Sequence, residues 1–208
     1  AVQGSVMLGA RVAISADGDV VLGGGQSAPQ TSASVWVFWL NKLGEWQSGI
    51  PLGFPGSYAN SGFGSSLALS AHGDLALVGA PQLQNAQGAV YAYRGDRSKT
   101  PPDWSAPPTQ LPAPNDLPEA TGFGAAIALS ANGATALIGN FGTVWAYTAN
   151  DAGTWIQSKP LFGSITGGFV PSIAINAAGT LALLPSWDDN YGTQAWIYAR
   201  SGDGTWAA

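Results

Sequence analysis

The chain has 208 residues, enough to bury a sizeable core as one large domain or two small ones. Only 9% of residues are charged and the formal net charge is −5, so there is no basic stripe to neutralise nucleic-acid phosphates or to hold an anionic membrane surface. The absence of cysteine excludes disulfides, thiolate nucleophiles and cysteine-based zinc sites. With 29 Gly, 14 Pro and 46% hydrophobic residues, the composition is that of short strands and many turns, not of disorder. No apolar run approaches the ~20 residues of a membrane helix, so membrane insertion is not expected. The chain opens Ala1-Val2-Gln3 without a signal-peptide core, the start expected of a processed, exported protein.

In chain order, one pattern occurs four times: LGARVAISADGDVVLGGG (8–25), GFGSSLALSAHGDLALVGAP (62–81), GFGAAIALSANGATALIGN (122–140) and FVPSIAINAAGTLALLPS (169–186). The turn glycines Gly18, Gly73, Gly133 and Gly179 are 55, 60 and 46 residues apart. A period near 50 is that of a propeller blade rather than of a helical repeat. Each copy opens with an apolar–Ala–apolar strand: 12–14, 67–69, 127–129 and 173–175. Apolar residues on both faces predict a strand buried on both, and the constant alanine predicts close approach of a neighbouring sheet. A tight Ala-X-Gly turn and a second apolar strand follow (20–22, 75–78, 135–138, 181–184).

After a variable loop comes an aromatic-rich third strand: 35–40, 90–94, 144–148 and 195–200. It aligns Trp36, Tyr91, Trp145 and Trp196, and two residues on, so on the same face, Phe38, Tyr93, Tyr147 and Tyr198. The Trp residues are expected to pack between blades rather than to form a ligand platform. Each unit closes on a Trp after a polar turn (Trp46, Trp104, Trp155, Trp206), expected to begin a fourth strand. Four antiparallel strands per unit and four units predict a single all-β propeller over 1–208, with units at about 6–54, 61–114, 121–163 and 168–208. The chain ends two residues after Trp206. Residues 1–7 are therefore expected to complete the last blade and close the ring; otherwise the array belongs to a larger propeller or another chain completes the sheet.

Phe63-Gly64 followed by Gly79-Ala80-Pro81 resembles the FG-GAP repeat, the blade signature of integrin α-subunit propellers and many secreted bacterial proteins. Phe123-Gly124 with Ile138-Gly139-Asn140 is a close variant, and copies one and four are weaker. The resemblance implies a propeller fold and a secreted or cell-surface location. Many blades of that family bind calcium between their first two strands, which needs six to eight oxygen ligands. Here the connection is a hairpin turn keeping Asp17 and Asp19 in copy one and Asp74 in copy two. The family's calcium sites do not carry over, the repeat looks like the calcium-free bacterial type, and no metal or other cofactor is expected.

The lone histidine, His72, sits where the other copies place Asp17, Asn132 and Ala178, so a turn role outweighs a catalytic one. With no second His or Cys, a nucleophile–base pair has no other base. The acids near the closing Trp residues (Glu45, Asp103, Asp151, Asp203) occupy turn positions. No catalytic residue is assigned. The most individual segment is PSWDDNYGT (185–193), where Trp187, Asp188, Asp189, Asn190 and Tyr191 combine aromatic rings with carboxylates and an amide. That is the chemistry of a sugar site, in which a ring stacks on the sugar's apolar face and oxygens take the hydroxyls. The competing reading is a loop packed over its own blade, and a single calcium ion is a third. On the same rim, Tyr58, Asn60, Asn115 and Asp116 are secondary candidates, and 101–118 is a proline-rich excursion.

The expected function is non-enzymatic: an extracellular recognition or adhesion module binding carbohydrate or protein through rim loops. The rivals are a self-assembling surface protein joined through the last blade and a carboxylate-dependent glycan hydrolase.

Overall fold

A computed structural model describes residues 7–26, 35–54, 61–115, 117, 121–161, 172–188 and 192–208. They form four separate four-stranded sheets, each an antiparallel meander in chain order. The first blade comprises β1 (Met7–Ile14), β2 (Val20–Gln26), β3 (Val35–Trp39) and β4 (Ile50–Pro51), and the second β5 (Ser66–Leu69), β6 (Leu75–Ala80), β7 (Ala89–Arg94) and β8 (Thr109–Gln110). The third holds β9 (Ala126–Leu129), β10 (Thr135–Gly139), β11 (Val144–Ala149) and β12 (Trp155–Pro160), and the fourth β13 (Ala174–Ile175), β14 (Leu181–Asp188), β15 (Gly192–Arg200) and β16 (Trp206–Ala207). The first strands β1, β5, β9 and β13 pack against one another in succession. The described residues thus form four successive propeller-like blades, as the repeat predicts.

The first turn of each blade is built the same way. Gly18, Gly73, Gly133 and Gly179 all have φ between +70° and +78°, a region glycine enters without steric cost. Ahead of each sits a hydrogen-bonding side chain. Ser15, Ser70 and Ser130 Oγ accept the N–H of Val20, Leu75 and Thr135 at 3.0, 3.1 and 2.9 Å. In the fourth blade Asn176 Oδ1 does this for Leu181 at 2.9 Å. The turns are also joined to each other: Ala16 N–H donates to Ala71 O, Ala71 N–H to Ala131 O and Ala131 N–H to Ala177 O, at 2.8, 2.9 and 3.0 Å.

Period-two alternation splits each blade into two apolar faces. In the second blade Leu67, Leu69, Val78, Tyr91 and Tyr93 face the first blade, packing with Val20, Leu22, Val35 and Val37. Its opposite face, with Ala68, Leu75, Leu77 and Val90, packs on Ile127, Leu129, Ile138 and Tyr147 of the third. The third meets the fourth through Leu137, Val144 and Ala146 against Ile175, Ala182, Leu184 and Tyr198. The constant alanine is thus explained: Ala68 shares its cluster with the large innermost side chains of the next blade.

The closing Trp residues depart from expectation in the first two blades. Trp155 and Trp206 begin β12 and β16, but Trp46 only bridges to Leu40 inside its turn, and Trp104 lies ahead of β8. Trp104 is buried in the cluster between the first two blades and over Gly95, so packing claims the ring and pairing starts later. The fourth sheet takes all four strands from 174–207, and Met7 belongs to β1. Residues 1–6 lie outside the described residues.

Candidate functional site: the loop rim

The loops divide between two rims. The first turn of each blade lies beside its third connection, as shown by Leu40 N–H to Asp19 O, Gly95 N–H to Asp74 O and Arg200 N–H to Thr180 O. Several acids on this rim are engaged within their own turns. Asp103 accepts from Lys99 Nζ at 2.6 Å and from Ser105 N–H at 2.9 Å, which holds its carboxyl far below the usual carboxylate range. Asp203 takes bonds from Ser201 and Thr205 and is lowered to about 2. Burial works against ionisation of Asp17, but Ser15 and Arg97 donate to it and hold it at about 2. His72 is exposed in its turn, and its carbonyl accepts a bond from Arg97. Among the described residues no group of three His, Asp or Glu side chains converges as a cation site requires.

The opposite rim carries the second-to-third-strand loops and the links between blades. Its best-defined part lies where the second blade meets the third. After β6, Leu83–Ala86 makes one tight turn in which Gln84, Asn85 and Ala86 all have positive φ, of 51°, 58° and 64°. A non-glycine residue there costs about 1 kcal/mol or more and persists only where the surroundings impose it. Gln82 N–H donates to Ser61 O at 2.9 Å, Gly122 N–H to Ala86 O at 2.7 Å and Phe123 N–H to Gln87 O at 2.9 Å. The turn is therefore anchored to the links on either side. It displays Gln82, Gln84, Asn85 and Gln87, all exposed.

Phe141, 41% exposed, is the neighbouring aromatic. Its ring covers Gly122, where a Cβ would come within 2.5 Å of it, and its N–H donates to Thr121 O at 3.0 Å. Asn140 is buried and shapes that loop, its Oδ1 accepting the N–H groups of Gly142 and Thr143 at 2.9 and 2.6 Å. The Phe141 ring and the Ala86 carbonyl, which belongs to the turn displaying the amides, thus meet at the same glycine.

The segment singled out in the sequence is placed only in part. β14 and β15 pair from Leu181–Ala199 out to Trp187–Thr193 and Asp188–Gly192, so Trp187 and Asp188 stand at the far end of a hairpin longer than its counterparts. Asp189, Asn190 and Tyr191 lie outside the described residues, as do Tyr58, Asn60 and Asp116. Asn115 is exposed. Of the aligned tryptophans, Trp145 is buried edge-on to Phe123, with centroids 6.0 Å apart. Trp36 is half-buried and Trp196 exposed.

Sequence reasoning missed the left-handed turn at 84–86. The stretch QLQNAQG contains Gln and Asn without a diagnostic spacing, and three consecutive positive φ values are imposed by tertiary anchoring rather than by local propensity. The capping serines were open to discovery: Ser-Ala-X-Gly recurs in three copies and Asn-Ala-Ala-Gly in the fourth.

No family model and no curated protein matches the chain. Solved structures of β-propeller-like proteins do. A Lactobacillus plantarum protein is 16% identical with a TM-score of 0.63, covering 97% of this chain and 54% of its own. The periplasmic gluconolactonase of Pseudomonas aeruginosa is 19% identical (TM-score 0.60, 95% and 51%). A putative TolB of Agrobacterium tumefaciens is 15% identical (0.56, 98% and 61%). At these identities the likeness is one of fold. The chain spans about half the length of the structures it resembles.

Proposed function

We propose that the chain is a non-enzymatic recognition module that binds carbohydrate through the rim carrying the 81–88 loop, Phe141 and the β14–β15 hairpin. The observation that carries this reading is the strained turn at Gln84, Asn85 and Ala86. Backbone strain is retained where it positions side chains for use, and here it holds out amides, each offering a donor and an acceptor to sugar hydroxyls. Phe141 adds an apolar face of the kind a pyranose ring stacks on. Trp187 and Asp188 are assigned to the same rim. The engagement of Asp17, Asp103 and Asp203 within their own turns favours a binding over a hydrolytic reading.

The FG-GAP reading belongs to this proposal. It is supported by the pairing of its two halves, since Gly64 N–H donates to Gly79 O at 2.9 Å and Gly124 N–H to Gly139 O at 3.1 Å. An extracellular or periplasmic location fits the periplasmic gluconolactonase among the similar folds; among the described residues no helix is long and apolar enough to cross a membrane.

The test is a glycan array probed with the purified chain and with N85A, F141A and W187A, each with and without EDTA. The expected result is binding that is indifferent to EDTA and falls at least about tenfold, or ~1.4 kcal/mol, in the variants. Absence of binding by the intact chain, or binding unchanged in all three variants, overturns the carbohydrate reading.

A further inference from the structure

Asn132 and Gly133 form the only Asn-Gly pair in the sequence, and they lie in the turn that joins the third blade to its neighbours. Asparagine is a chemically labile residue. Before glycine it is the most open to attack by its own backbone, because no Cβ keeps the next amide nitrogen away from the carboxamide. Asn132 is exposed. The other copies carry Asp17, His72 and Ala178 at its position, so the repeat does not require an amide there.

The closed turn holds both groups that would react. Gly133 is buried, and its N–H donates to Ser130 O at 3.0 Å. Asn132 Oδ1 accepts from Ser130 Oγ at 2.8 Å and from Ala134 N–H at 3.0 Å. Ser130 is itself fully buried, and its Oγ accepts Thr135 N–H at 2.9 Å. Attack requires the Gly133 amide to lose its proton and the carboxamide to swing onto it. The Gly133 bond and both bonds to Oδ1 must open together before that geometry exists.

We propose that Asn132 is a deamidation site gated by this turn, inert while the turn is closed and converted when it opens. The step balances as follows. The Gly133 amide nitrogen gives its proton to solvent base and attacks Asn132 Cγ. The new N–C bond forms, the Cγ–Nδ2 bond breaks, and ammonia leaves with a proton taken back from solvent. Water then opens the cyclic imide at either carbonyl, giving aspartate or the β-linked isoaspartate. The two products differ in what they do to the fold. Aspartate keeps the turn, because Asp17 Oδ1 in the first blade already accepts the equivalent pair of bonds, from Ser15 Oγ and from Asp19 N–H at 3.1 Å. Isoaspartate draws the side chain into the main chain, so the acceptor for Ser130 and Ala134 is lost and the Gly133–Ser130 bond is displaced. The damage falls beside Ala131, whose carbonyl accepts from Ala71 N–H and whose N–H donates to Ala177 O, so it reaches the second and fourth blades. The inference is independent of the carbohydrate proposal.

The test is peptide mapping by mass spectrometry of the 208-residue chain held in mildly alkaline buffer, folded and in denaturing urea, beside S130A and N132D. The expected result is conversion at Asn132 at least about tenfold slower in the folded chain than in urea, and at least about threefold faster in S130A than in the native sequence. Urea below the unfolding transition serves if S130A does not fold: there the native chain's conversion should quicken in step with exchange of the Gly133 amide. N132D should keep the native denaturant midpoint. The isoaspartyl fraction, separated by chromatography, should exchange its Ala131 amide at least about tenfold faster than the aspartyl fraction. Equal rates folded and unfolded, conversion that does not follow Gly133 exchange, a lowered midpoint in N132D, or an isoaspartyl fraction with native Ala131 exchange each overturns the proposal.

Discussion

Gly79 and Gly124 stand back to back across the seam between the second and third blades, so that a methyl group on Gly79 would overlap the Gly124 carbonyl oxygen. Gly24 meets Gly64 in the same way one seam earlier, with 2.6 Å between a Cβ on Gly24 and the Gly64 oxygen. The glycines of the repeat are therefore spacers between sheets. G79A is expected to destabilise the fold by about 2–4 kcal/mol, since backbone on the far side cannot yield as a side chain would. G53A, where a Cβ meets nothing within 4 Å, should stay within about 0.5 kcal/mol of the native chain. Urea denaturation of the two variants checks the contrast.

The capping serine of each turn works from a buried position. Ser70 Oγ accepts from Leu75 N–H at 3.1 Å and donates to Asp74 at 2.8 Å. S70A leaves a buried donor unpaired and should cost about 1–3 kcal/mol, whereas S70T, which keeps the oxygen, should recover part of the loss. Thermal unfolding of the pair measures it.

Two tyrosines tie successive blades together. Tyr93 Oη donates to Gly53 O at 2.7 Å and Tyr147 Oη to Pro112 O at 2.8 Å, each reaching the link that leaves the preceding blade. Y93F and Y147F are each expected to cost about 0.5–1.5 kcal/mol, additively because the sites lie in different seams. The first blade already has Phe38 at this position. Chemical denaturation of the single and double variants tests both statements.

Acid sensitivity follows from Asp17. Its carboxyl lies at about 2 in the folded chain, against an ordinary value of 3.8. A lowered folded value means that its stabilisation is complete above the unfolded value and is lost as pH falls through the folded one. Stability should hold level above about pH 5 and decline between about pH 4 and pH 2. D17N should flatten part of that decline. Denaturant midpoints measured across this range give the slope.

The left-handed turn offers a separation of stability from binding. A86G removes the cost of φ at 64° without touching an amide, and should stabilise by about 0.5–1 kcal/mol while leaving glycan binding unchanged. N85G should stabilise similarly and weaken binding. Melting temperatures read beside the array distinguish these outcomes.

The blade was legible because its determinants are local and recur. Ser-Ala-X-Gly, the apolar–Ala–apolar strand and the aromatic third strand recur in near-identical order, so one copy's meaning could be checked against the others. The fourth strand was legible only in the last two blades. Trp46 and Trp104 look alike in sequence to Trp155 and Trp206, yet Trp104 is drawn into the inter-blade core and pairing starts later. The rim was the least legible part. Phe141 became a candidate only through its place over Gly122, and Gln84 and Asn85 through a backbone conformation set by bonds to Ser61, Gly122 and Phe123. The exposure of Val12 and Ile197 was hidden for a further reason: both are apolar like the residues that align with them, and only the arrangement of the described residues shows their side chains exposed.

The ladder of bonds through Ala16, Ala71, Ala131 and Ala177 has a consequence for how such a protein grows and comes apart. Each rung joins adjacent blades only, so the molecule behaves as a one-dimensional array with nearest-neighbour coupling. Damage to one seam should therefore be felt first in the two blades that share it, as amide protection lost there before it is lost elsewhere. Gene duplication could lengthen the array without redesigning any blade, because a new copy brings half of each interface with it.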